Sequence, residues 1–285
     1  MLEQVKKKEL KLFTEKIRLE TLKEFKQIGF GHVGGAMSIV ETLAVLYGAV
    51  MNYRPDEPRW KDRDWLVLSK GHAGPALYAT LALKGFFPLE ELATLNQPGT
   101  NLPSHCDRNK TCGVDMTTGS LGQGISTAIG VALGNRLDGR NNFTFLILGD
   151  GECNEGQVWE GALSASHYKL NRLILFVDYN KQQLDGYTRD ILDLGELSDK
   201  FACFGWHTTD VNGHDVEEIY GAVENAKRES EKPSAIILHT LKGKGCSFAE
   251  GILDNHHIAF SDEQISEAIT CVEKQLRLVE GGVEN

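Results

Sequence analysis

Positive charge is in short supply. The 285-residue chain carries 30 Lys and Arg against 40 Asp and Glu, a formal net charge of −10. That balance argues against a surface built for broad contact with nucleic acid or an anionic membrane, both of which need a basic face. It leaves a small anionic ligand open, because a local site can oppose the global sign. Long hydrophobic runs are also absent. The most apolar stretch, SIVETLAVLYGAVM, carries Glu41 and falls short of the roughly 20 residues a bilayer span takes. The N-terminal EQVKKKELKLFTEK is charged and lacks the apolar core of a signal peptide. Six cysteines (106, 112, 153, 203, 246, 271) lie scattered with no CxxC, which points to reduced thiols in the cytoplasm rather than a disulfide framework. No G-x-x-x-x-G-K-[ST] loop, internal repeat, low-complexity segment or Pro/Gly/Ser linker occurs, so residues 1–285 read as a single domain.

What is present is an alternation of elements. Residues 3–28 have the spacing of a long, charged amphipathic helix, with Gly29 placed to cap it, and 36–51 read as a second, apolar helix. DWLVLS (64–69) is a short apolar run ending at a Lys-Gly-His turn; 75–85 is helical, and 96–113 is a loop rich in Pro, Asn and Gly. Residues 121–137 form a helix whose small residues suit close packing. FTFLILG (143–149) and RLILFVD (172–178) are continuous apolar runs, the pattern of strands buried on both faces. Helices over 154–169 and 215–230, with strands at 207–211 and 235–240, complete the series. Such alternation implies right-handed βαβ units: a doubly wound α/β fold, its mostly parallel sheet covered by helices on both faces. From about 265 to 285 a C-terminal helix and tail, loosely held, are expected.

Two loops carry the chemistry. Asp150 and Gly151 follow the 143–149 strand, and Asn180 follows the 172–178 strand. Ligands of open parallel sheets bind outside the carboxyl ends of the strands, so Asp150 and Asn180 are expected side by side there. A carboxylate and an amide oxygen suit a hard cation such as Mg²⁺, which completes its octahedron with phosphate oxygens and water. Gly149 and Gly151 leave room for a phosphate to approach the backbone, and the helix that follows offers free N–H groups to an anion. By contrast, GFGHVGG (29–35) contains G-x-G-x-x-G in the wrong context. The dinucleotide fingerprint needs a strand before it, and here a charged helix precedes it. Its glycines end one helix and turn the chain to present His32.

GDG, then 25–30 residues, then Asn at the next strand end is the thiamine diphosphate motif, and from about 20 to 260 this chain resembles the N-terminal, diphosphate-binding part of transketolase. GHVGGAMS is similar to that family's first histidine turn, LSKGHAGPALYA to its second and LPSHCD to its third, with Ser104 and Cys106 where many members have Gly and Pro. TTGSLGQGI (117–125) is a close match, with Ser120 in place of the usual Pro. The resemblance implies that Asp150, Asn180 and the Gln182 carbonyl hold Mg²⁺ (or Ca²⁺ or Mn²⁺). It implies that Gly151 and His72 bind the diphosphate, that Leu121 and Leu184 pack on the cofactor rings, and that Gly119 offers its carbonyl to the aminopyrimidine. His32 and His105, joined by His256 or its neighbour His257, would bind the donor sugar and shuttle protons. Glu155 would couple two active sites across a subunit interface. His167, His207, His214 and His239 stand outside matched stretches and read as structural, and Cys153 reads as packing.

The family's catalytic glutamate belongs to a pyrimidine-binding domain that has no counterpart in this sequence. The resemblance therefore implies the N-terminal subunit of a split transketolase acting on sugar phosphates. Its partner would be a C-terminal subunit in an α2β2 heterotetramer, with no nucleic-acid or membrane partner. Two alternatives stay open: the first half of a 1-deoxyxylulose 5-phosphate synthase-like or modified-sugar enzyme, and a non-catalytic cofactor-binding half-enzyme. The three-histidine set favours ketol transfer.

Overall fold

Along the central strands, neighbouring residues pack into opposite cores. Phe145 and Ile147 join one buried cluster, with Ile174, Phe176, Ile236 and Leu238. Leu146 and Leu148 join a second, with Leu175, Val177 and Ile237. Side chains alternate faces along a strand, so covering both faces requires the continuous apolar runs seen in the sequence.

A computed structural model describes residues 2–281. It begins with α1 (Gln4–Ile28), β1 (Phe30–Gly31), α2 (Val33–Met37), α3 (Val40–Val45), β2 (Trp65–Leu68), α4 (Gly74–Leu83), α5 (Gln123–Leu137) and β3 (Thr144–Gly149). Next come α6 (Gly156–His167), β4 (Leu173–Tyr179), α7 (Thr188–Leu192), α8 (Leu197–Cys203), β5 (His207–Asn212) and α9 (Val216–Arg228). The chain closes with β6 (Ser234–His239), β7 (Ile258–Ala259) and α10 (Asp262–Gly281). Five strands form one wholly parallel sheet in the order β2-β3-β4-β6-β5. Helices α1, α3, α4, α9 and α10 cover one face, and α5, α6 and α8 the other.

Three expectations are corrected. The apolar helix expected over 36–51 is broken: α2 ends at Met37, α3 begins at Val40, and Leu46–Val50 forms a π-helical turn. Ser38 and Ile39 form a turn between the two helices, and the Ser38 hydroxyl donates to buried Asp178 at 2.5 Å. At the π turn Met51 N–H reaches the Leu46 carbonyl at 2.8 Å, and Gly48 lies against Leu10 of α1. The helix expected from 154 starts only at Gly156, after a 3₁₀ turn over Gly151–Asn154. The residues beside the Asp-Gly pair therefore belong to that turn, not to a helix N-terminus. Finally, the expected loose segment from 265 is helical up to 281 and packed on the core through Val272. Ile265, Ala268 and Val272 of α10 enter the same core as Leu10, Ile17 and Leu22 of α1. The rest of the expected tail, 282–285, lies outside the described residues.

Candidate active site

Four strand ends meet at one edge of the sheet. There β2 runs out into Ser69 and Lys70, β3 into Asp150, β4 into Asn180 and β6 into Thr240. The register sets Gly149 opposite Asp178, which brings the following loops together. Asp150 and Asn180 thus line one cavity of about 250 Å³, with Lys70, His72, Gln182 and Lys242 in its wall. A larger groove of about 850 Å³ between α1, α9 and α10 contains none of the motif residues, so size alone does not locate the site.

The floor of the cavity is a charged network. Asp178, wholly buried, accepts from Lys70 Nζ, Ser38 Oγ and Thr240 Oγ1, each at 2.5 Å, and from Asn180 Nδ2 at 2.9 Å. Burial opposes its charge, but Lys70 and these donors outweigh it and hold the carboxyl below the usual range. Asp150 accepts from Gly151 N–H at 2.8 Å and Lys181 N–H at 2.5 Å. Burial, and then the charge of Asp178, push its pKa up to about 7, a state that a bound cation relieves. Lys242 is pulled down to about 8 by burial and then by Lys70. Its ammonium reaches the Gln183 carbonyl at 3.4 Å.

These residues fit a hard cation beside a diphosphate. The donors are oxygens, and Gln182 Oε1 is buried without a hydrogen-bond partner. Among the described residues no group of three or more His, Cys, Asp or Glu side chains is placed to hold a metal. A cation here would take only one or two side-chain ligands, as Mg²⁺ does when phosphate oxygens complete its shell. The walls also approach closely: a Cβ on Gly151 would lie 2.7 Å from Gln183 Cβ, and one on Gly35 would lie 3.1 Å from His72 Nε2.

Five histidines gather next to this floor. The His32 ring centroid lies 5.3 Å from that of His72, 5.4 Å from His105, 5.5 Å from His256 and 4.6 Å from His257. His72 and His256 are 4.9 Å apart and both line the cavity. His257 is exposed and faces Phe30 at 5.6 Å, so His256 is the inner of the adjacent pair. Local structure brings these turns together. Gly29 ends α1 in the left-handed region (φ 74°), and β1 then pairs antiparallel with β7, Phe30 opposite Ala259 and Gly31 opposite Ile258. Burial, then His257 and His105, lower His32 to about 4; burial, then Lys242, lowers His256 to about 3. Burial also lowers His72 and His105. These shifts favour uncharged rings at His32, His72, His105 and His256 at neutral pH, each with one nitrogen that donates and one that accepts.

Of the remaining sequence candidates, Leu121 and Leu184 line the cavity and expose 37% and 64% of their surface, an apolar rim above a polar floor. Gly119 adjoins His105, where a Cβ would lie 3.3 Å from the ring, and is not in the cavity wall. Glu155 stands apart, exposed at the start of α6, its side chain making no capping bond. Cys153 is buried, and His214 and His239 pair with Glu41 and Asp210. Sequence reasoning missed Lys70, Asp178, Lys242 and Glu152. Buried Glu152 accepts from Ser69 Oγ, from Gly122 N–H at 2.8 Å and from Gly149 N–H at 3.0 Å, joining β2, β3 and the start of α5. The signal that could have found them was an ionisable residue at the end of each apolar run.

Residues 10–273 match the family described as transketolase, thiamine diphosphate binding domain. The chain is 54% identical over 259 residues to the 6-deoxy-6-sulfo-D-fructose transketolase subunit of Clostridium sp. strain MSTE9, covering 91% of this chain and 94% of that protein. It is 35% identical over 271 residues to an apulose-4-phosphate transketolase subunit of Phocaeicola vulgatus, covering 95% and 96%. The transketolase of Campylobacter jejuni has the same architecture, with a TM-score of 0.87 at 30% identity, covering 96% of this chain and 43% of that one. The chain thus spans less than half of the solved transketolases it matches, yet nearly all of each of the two subunits. Sequence and architecture agree across almost its whole length: the chain belongs to the transketolase family, of which it carries the thiamine diphosphate-binding domain.

Proposed function

We propose that this chain is the N-terminal subunit of a two-chain transketolase, which transfers a two-carbon ketol unit from a ketose donor to an aldose acceptor. The observation that carries this reading is the cavity in which Asp150 and Asn180 adjoin His72 and His256, with His32 packed against both histidines. Thiamine diphosphate, when bound, supplies the electron sink for breaking the carbon–carbon bond. In this reading the Asp150 and Asn180 side chains and the Gln182 main-chain carbonyl hold Mg²⁺, with Ca²⁺ or Mn²⁺ as substitutes. His72 and Gly151 N–H bind the diphosphate, and the Lys242 ammonium neutralises it. Leu121 and Leu184 pack on the rings, and the Gly119 carbonyl takes the aminopyrimidine.

The neutral rings of His32, His105 and His256 bind the donor's carbonyl and hydroxyls and move protons between them. Glu155, outside the cavity, couples paired sites across a subunit interface. A C-terminal subunit supplies the pyrimidine-binding domain with its glutamate, giving an α2β2 heterotetramer in the cytoplasm. The near-full-length match to proteins named as transketolase subunits supports the split. The same likeness favours 6-deoxy-6-sulfo-D-fructose as donor.

The test mixes the chain with its partner subunit, Mg²⁺, thiamine diphosphate and an aldose acceptor, and supplies 6-deoxy-6-sulfo-D-fructose, fructose 6-phosphate or pyruvate in turn. Preferred turnover of the sulfonated ketose is expected. Preference for fructose 6-phosphate would reject the donor alone, and turnover of pyruvate alone would reject ketol transfer.

A further inference from the structure

The Asn180 side chain has two chemically different ends, and only its oxygen can ligate a hard cation. Nothing in the covalent structure of asparagine decides which end faces the cavity. Here the two ends meet different partners, one of them Asp178, two residues earlier and wholly buried. A carboxylate only accepts hydrogen bonds, so the Asn180 end that approaches Asp178 Oδ2, at 2.9 Å, must be the NH₂. Asn180 Oδ1 is thereby turned the other way, where it also receives Gln182 N–H at 3.1 Å.

Asp178 is itself immobilised from three further directions: by Lys70 Nζ and Ser38 Oγ on Oδ2, and by Thr240 Oγ1 on Oδ1, each at 2.5 Å. Those three donors come from the ends of β2, α2 and β6. Ser38 also stands at the break between α2 and α3. A break in an apolar helix and a buried ion pair thus converge on a single carboxylate.

We propose that Asp178 is a positioning residue that fixes the amide of Asn180 with its oxygen toward the divalent cation. The inference rests on the metal-binding reading of Asp150 and Asn180. A carboxylate at position 180 would need no such control, because both of its ends are oxygen, and this difference provides the test.

The measurement is Mn²⁺ affinity, followed by the electron paramagnetic resonance of the free ion, for the full chain with thiamine diphosphate and its partner subunit. Asp178→Asn is expected to weaken binding roughly 10–100-fold, the usual effect of removing a partner that orients a metal ligand. Adding Asn180→Asp to Asp178→Asn should restore most of the lost affinity, whereas a purely structural defect would not be rescued. Thr240→Val removes one donor to Asp178 without uncovering a charge and should give a smaller loss, also rescued by Asn180→Asp. If Asp178→Asn does not fold, the Thr240→Val pair decides. Unchanged affinity in the Asp178 or Thr240 variant, or a loss that Asn180→Asp leaves in place, overturns the proposal. Unchanged affinity in Asp150→Asn would overturn the metal-site reading itself, and this inference with it.

Discussion

His32 packs against four other imidazole rings and lies outside the cavity wall that carries Asp150 and Asn180, so its loss should separate chemistry from cofactor binding. His32→Ala is expected to lower donor turnover by about 10²–10⁴, the range for one acid–base group, while thiamine diphosphate binding, read by protein fluorescence, stays near wild type. Equal loss of both would place His32 on the cofactor instead. The same rings make the fold sensitive to acid. In the unfolded chain they take up protons near 6.5, but within the fold His32 does so only near 4 and His256 near 3. Between those limits the unfolded state binds more protons, so stability falls as pH falls through that window. Melting curves taken from pH 7 down to 5 should show a shallower decline for His256→Ala than for the wild type. Parallel curves would contradict the assignment.

At the scale of elements, the site depends on how the first histidine turn is fastened. Gly29 adopts φ 74° at the end of α1, and β1 ties the following residues to β7. Replacing Gly29 with Ala forces a side chain into the left-handed region and should cost about 1–2 kcal/mol. The change is measurable as a lowered urea midpoint together with reduced turnover. Removal of α10 should be more severe. It uncovers the face of α1 that packs on Ile265, Ala268 and Val272, so a chain ending at 261 is expected to be insoluble or unfolded by circular dichroism.

These elements also mark what could be read in advance. Strands β3 and β4 were legible because burial on both faces demands unbroken apolar runs. Asp150 and Asn180 were legible because the chain leaves those strands at one edge. The role of Ser38 was not, because its partner, Asp178, lies 140 positions away. Strands of two residues such as β1 and β7 have no period to detect. Lys70 and Asp178 passed as ordinary turn and strand-end residues until the fold paired them.

At the scale of the whole molecule, charge is distributed against its own average. A chain of net charge −10 places Lys70 and Lys242 in the wall of one cavity and keeps both buried. Above them Leu121 and Leu184 remain open, in the place where a cofactor ring and a second polypeptide would cover them. On the proposed function the chain holds half of an active site, which one titration tests most directly. Turnover of a ketose donor is measured for the purified chain with Mg²⁺, thiamine diphosphate and an aldose, while the partner polypeptide is added stepwise. No significant turnover is expected at the start, followed by a rise that saturates at equimolar partner. Robust turnover by the chain alone would contradict it.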